Sequence, residues 1–108
     1  MPRARRIVDV SAPPVAEAAR PWFVYLLECH NGRLYAGVTV DLAARFAQHR
    51  SGKGAMFTRL NAPRRMLAAQ SCANRSEAQK LEARVKRLSV AAKRSLAAQW
   101  PLQLPVTE

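Results

Sequence analysis

Acidic side chains are scarce in this sequence. Seven Asp and Glu stand against eighteen Lys and Arg, a formal net charge of +11. Such an excess suits three partners: nucleic acid first, then an anionic membrane surface or an acidic protein. Long apolar runs are missing too. The longest, Trp22 to Leu27, is strand-sized and far short of the roughly 18 residues of a membrane-spanning helix, so no membrane span is expected. There are only two cysteines, Cys29 and Cys72, with no CxxC pair and no Cys/His quartet. That excludes a structural zinc site and favours reduced thiols in a cytoplasmic protein. No apolar segment follows the Arg-rich start, so no secretory signal is expected; its composition fits a transit peptide or, better, a plain extension.

What is present is enough for one domain. The chain has 108 residues, 49 % of them apolar. Residues 1–20 contain three prolines and no sustained periodicity, and read as a mobile N-terminal extension. Residues 21–99 carry fourteen basic residues against four acidic ones, so the positive charge belongs to the folded part. Residues 100–108 read as a C-terminal tail.

Trp22 to Glu28 is apolar at successive positions, as in a strand buried on both faces. His30-Asn31-Gly32 is a turn, and Arg33 to Thr39 a second strand. A three-residue loop with Gly32 in its left-handed position would pair Cys29 with Arg33 and set Tyr25 opposite Gly37. Tyr25 and Tyr35 would then share a face. A plain two-residue turn would put them on opposite faces. Asp41 caps a helix from Leu42 to about Arg50, stopped by Gly52. Residues 55–63 form a basic loop. Arg65 to Ser71 reads as a third strand, although its alanines suit a helix equally. A helix starts at Ser76, which has capping-box spacing to Gln79, and buries Leu81, Val85 and Leu88. A last helix runs from Val90 to Gln99 behind Ser89. The order β-β-α-β-α-α describes an α+β fold around a small sheet.

Arg45 and His49 are one helical turn apart, at the rim of the Leu42/Phe46 apolar stripe. By itself that is an ordinary helix with basic residues near its negative end. Glu82 borders the apolar face of a strongly basic helix. Its plain role is a surface pair with Lys86; its chemical role would be to hold a hard divalent ion, for which one carboxylate suffices when phosphate supplies more oxygens. Each tyrosine alone suits a half-buried sheet position.

The set is more informative than its members. Val24-Tyr25-Leu26, Tyr35-Ala36-Gly37, Asp41 with Arg45 and His49, and a distant Glu82 follow one another at tight spacings. This order resembles the GIY-YIG endonuclease superfamily from about Trp22 to Leu96. Tyr35 to Thr39, Arg45 to His49, Ser51 to Ala55 and Phe57-Thr58-Arg59 resemble its small stand-alone bacterial (YhbQ-like) branch.

The resemblance implies a three-stranded antiparallel sheet flanked by helices. It implies a divalent-metal-dependent endonuclease that hydrolyses phosphodiester bonds in DNA, structure-selective or weakly specific, in repair or processing. Tyr25 and Tyr35 match the motif tyrosines, Gly37 the second-motif glycine, Arg45 the catalytic arginine, His49 the helix histidine, and Glu82 the ligand of one Mg²⁺ or Mn²⁺. Either tyrosine suits the general base, and His49 suits proton acceptance or orientation of a tyrosine. Lys53, Arg59 and Lys86 are expected to contact nucleic acid. Phe23 stands where the family name has glycine, and no asparagine follows Glu82 as in the homing-type members. A nucleic-acid-binding module with little or no catalysis is the alternative.

Overall fold

The computed structural model describes residues 21–107, with side chains through Leu102. The expected N-terminal extension, residues 1–20, and Glu108 lie outside the described residues. β1 spans Trp22–Cys29, β2 Leu34–Thr39, α1 Leu42–Arg50, α2 Met56–Leu60, β3 Pro63–Cys72, α3 Arg75–Lys86, α4 Val90–Gln99 and β4 Leu102–Thr107. The three expected strands form an antiparallel sheet with helices packed on it. β4 extends it, giving the order β2-β1-β3-β4.

The hairpin has the three-residue loop. Gly32 has φ +86°, its N–H bonds the Cys29 carbonyl at 2.9 Å, and the Cys29 N–H bonds the Arg33 carbonyl at 2.9 Å. The resulting register sets Tyr25 opposite Gly37 and Leu27 opposite Tyr35. Both tyrosines therefore lie on one face. β1 is buried from Val24 onward because it pairs on both sides and is covered on both faces.

Two apolar clusters flank it. Tyr25, Leu27, Phe46, Met66 and Ala69 pack together on the α1 side. Val24, Leu26, Ala36, Ala68, Ala78, Val85, Ala97 and Trp100 pack together on the side of α3 and α4. The second cluster ends in a charged group: Glu28 is buried and meets Arg65 Nε and Arg94 Nη1, each at 2.8 Å.

Asp41 caps α1 by accepting from the Ala44 N–H at 3.0 Å, and Ser89 caps α4 by accepting from Ala92 at 3.1 Å. α3 departs from expectation. Its cap is Asn74, which accepts from the Glu77 N–H at 2.9 Å, so Ser76 lies inside the first turn. It ends at Lys86, which leaves Leu88 beyond the helix and exposed rather than on the buried stripe. Within the expected basic loop, residues 56–60 form the short α2. The segment expected to be a tail supplies Trp100 to the core and β4 to the sheet.

Candidate active site

β1 and β2 supply the floor of the site, and α1 and α2 its wall. Gly37 lies across from Tyr25, and a Cβ there would occupy the space of the Tyr25 phenol end. Glycine thus lets a fully buried tyrosine lie flat across the neighbouring strand. The ring centroids of Tyr25 and Tyr35 are 6.3 Å apart, and that of His49 is 5.3 Å from Tyr35. Tyr35 is half-buried and stacks on Phe57 of α2 at 5.6 Å.

The helical spacing of Arg45 and His49 brings both onto Tyr25. Its hydroxyl lies 2.7 Å from His49 Nε2 and accepts from Arg45 Nε at 3.4 Å. Arg45 Nη1 donates to Gln48 Oε1 at 2.7 Å, which steadies the guanidinium at the rim. His49 is buried, and its Nδ1 lies 2.7 Å from the Thr58 hydroxyl. A Cβ at Gly54 would collide with the imidazole, so the turn after α1 packs directly on His49.

These surroundings set the protonation states. Burial pushes the Tyr25 phenol up from 10.0 to about 12, with the Arg45 hydrogen bond opposing it. Burial, then the Arg45 charge, pushes His49 down from 6.5 to about 4. At neutral pH the centre is a protonated phenol beside a neutral imidazole.

Tyr25, Tyr35, Arg45 and His49 are thus brought together, with Gly37 under them. Glu82 comes from α3. It is half-buried, pairs with Lys86 at 3.4 Å, and its charge opposes ionisation of Tyr25. No group of three or more His, Cys, Asp or Glu side chains that could hold a metal occurs among the described residues. A single half-buried carboxylate fits a hard ion that keeps most of its waters and takes phosphate oxygens; it does not fit an ion caged by protein ligands. Lys53 and Arg59 are exposed on the segment that closes over His49, and Lys86 stands beside Glu82. Thr58, Gly54 and Phe57 were not assigned roles from the sequence. Phe57-Thr58-Arg59 enters the sequence reading only as part of the resemblance; the fold of α2 onto His49 is what shows the contact Thr58 makes.

A family model described as the GIY-YIG catalytic domain matches residues 21–95. A UPF0213 protein of Cupriavidus necator is 48 % identical over 84 residues, which cover 78 % of this chain and 91 % of that protein. A UPF0213 protein of Vibrio cholerae is 45 % identical over 85 residues, covering 78 % and 84 %. A solution NMR structure of a UPF0213 protein from Bacillus halodurans is similar at 40 % identity, covering 72 % of this chain and 83 % of that one with a TM-score of 0.46. No helix among the described residues is long and apolar enough to cross a membrane. The chain belongs to the GIY-YIG nuclease superfamily, in its small bacterial UPF0213 branch.

Proposed function

We propose that this protein is a divalent-metal-dependent endonuclease that hydrolyses phosphodiester bonds in DNA, selecting DNA structure more than sequence and serving repair or processing in the cytoplasm. The observation that carries this reading is the convergence of Arg45, Tyr25, Tyr35 and His49 on one face of the β1–β2 hairpin. Arg45 is the phosphate-binding group: its planar fork suits bidentate hydrogen bonding to phosphoryl oxygens as their charge grows. The two tyrosines divide the work. Tyr25 is fully buried and held protonated, so it orients its neighbours. Tyr35 reaches the surface and is the group placed to take the proton of the attacking water.

The water oxygen bonds to phosphorus as the bond to the leaving oxygen breaks. Glu82 is the side chain that would hold Mg²⁺ or Mn²⁺, which when bound would polarise the phosphoryl oxygens and stabilise the leaving oxygen. Lys53, Arg59 and Lys86 extend the contact to flanking phosphates, so binding weakens steeply with salt.

The test is a panel of supercoiled, single-stranded, flap and junction DNA, with and without each metal, for wild type, Arg45→Ala and Arg45→Lys. Metal-dependent nicking that is lost in the alanine variant and only partly kept in the lysine variant is expected. Tight binding with no cleavage under any condition would establish the binding-module alternative instead.

A further inference from the structure

Four side chains in the site form one hydrogen-bonded line, and its inner end fixes its direction. The Thr58 hydroxyl donates to the Ala55 carbonyl at 3.0 Å. That spends its single proton, so it offers His49 Nδ1 a lone pair across their 2.7 Å contact. Nδ1 then carries the imidazole proton and Nε2 is bare. Nε2 accepts from the Tyr25 hydroxyl at 2.7 Å, which leaves the phenol oxygen's lone pairs for the Arg45 Nε–H at 3.4 Å.

The outer end favours the same direction without fixing it alone. A guanidinium only donates, and Tyr25 is fully buried, so the phenol proton has His49 Nε2 as its acceptor. In the reverse arrangement Thr58 would donate to Nδ1, and Nε2–H would point at the phenol oxygen. The phenol proton would then be left facing the guanidinium, donor against donor. Thr58 is itself 2 % exposed, and the clash a Cβ at Gly54 would make with His49 shows how closely the ring is held.

We propose that Thr58 is a positioning residue: it fixes His49 as the Nδ1–H tautomer, and through Tyr25 this holds Arg45 in its working orientation. The consequence for cleavage rests on the nuclease reading above; the tautomer does not. A threonine that only filled space beside α2 would leave the imidazole protons where they are when replaced by valine.

The experiment records imidazole nitrogen resonances of the ¹⁵N-histidine-labelled full chain. Comparison with His30→Gln, which removes the only other histidine, assigns the His49 signals. In wild type, Nδ1 is expected protonated and Nε2 bare. In Thr58→Val the second tautomer appears, and kcat for cleavage falls by up to about a hundredfold with KM unchanged. Thr58→Ser, which keeps the hydroxyl, restores both. A wild-type His49 carrying its proton on Nε2 overturns the proposal, as does a valine variant that keeps the single wild-type tautomer. Should Thr58→Val not fold, the wild-type and serine spectra still decide the direction of the line. Should wild type cleave nothing, the nuclease reading fails while the tautomer comparison stands.

Discussion

Tyr25 and Glu28 are three residues apart on the same strand. Both are buried polar groups, yet they face opposite sides of the sheet and behave differently. Glu28 is a closed charge. Arg65 and Arg94 answer its two oxygens at 2.8 Å, and Arg94 also donates to the Gly32 carbonyl at 3.2 Å. Burial pushes its carboxyl up, but the hydrogen bonds from Arg94 and then Arg65 outweigh that and hold it below the ordinary glutamate range. Tyr25 belongs to an open line, neutral at its centre, that runs from Ala55 through Thr58 and His49 to a half-buried guanidinium. The closed cluster ties β1, β3, α4 and the hairpin together. The open line leaves a cation where an anionic substrate can reach it. One strand therefore serves cohesion on one face and chemistry on the other, by the alternation of its side chains.

The largest expected effect separates the two faces outright. Tyr35→Phe removes the proposed base and should slow cleavage about 10²- to 10⁴-fold, with the unfolding midpoint unchanged. Tyr25→Phe keeps that base and should slow cleavage less. Equal losses in single-turnover assays would erase the division of roles. Glu82→Gln should likewise abolish metal-dependent cleavage while costing only about 0.2–0.5 kcal/mol from the lost Lys86 pair. A glutamine variant with wild-type metal dependence would reduce Glu82 to that pair.

On the other face the effect should be thermodynamic. Glu28→Gln removes a charge that receives two arginine hydrogen bonds, and should lower stability by about 1.5–3 kcal/mol in urea titrations while kcat is unaltered. A stable variant with impaired cleavage would show that the two faces are coupled.

Acid should act on both faces in sequence. The unfolded chain takes up the His49 proton near pH 6.5, whereas the folded site resists it down to about pH 4. Stability should therefore fall as pH drops through that window, by at most about 1.4 kcal/mol per pH unit. Glu28, with a depressed folded value, stabilises above the ordinary carboxylate range, and that contribution is lost only at lower pH. His49→Gln should remove the upper limb of the pH–stability curve and Glu28→Gln the lower one. Away from the candidate site, the smallest effect is expected at the loop between β1 and β2. Gly32→Ala meets no neighbouring atoms but keeps a left-handed φ, so it should cost about 1 kcal/mol in thermal unfolding.

Local chemistry was the legible part of the sequence. Gly32 selects the loop, the loop sets the register, and the register puts both tyrosines on one face; Asp41 and Ser89 cap where they stand. The α3 start was misread because Asn74 and Ser76 are both good caps and Asn74 has the same spacing to Glu77 that Ser76 has to Gln79. β4 was missed because it exists through pairing with β3, and nothing within Leu102–Thr107 announces that partner. Glu28 showed only a charge; its role depends on Arg94, sixty-six residues away. For the candidate site, Tyr25, Tyr35, Arg45 and His49 were legible as a set through the family resemblance of their order and spacing; short-range periodicity alone put the tyrosines on one face and Arg45 one turn from His49. The role of Thr58 was not legible, because its value lies in one contact made by a turn that doubles back.

Burial of the Tyr25–His49–Thr58 line has a consequence for motion. Tyr25 and His49 are 0 % and 1 % exposed, so the phenol proton and the imidazole Nδ1 proton are shielded from water in the closed site. Their exchange with solvent needs a local opening of the packing around them. The rate at which those two protons wash out would thus be an internal clock for the opening of the site, distinct from unfolding of the sheet beneath it.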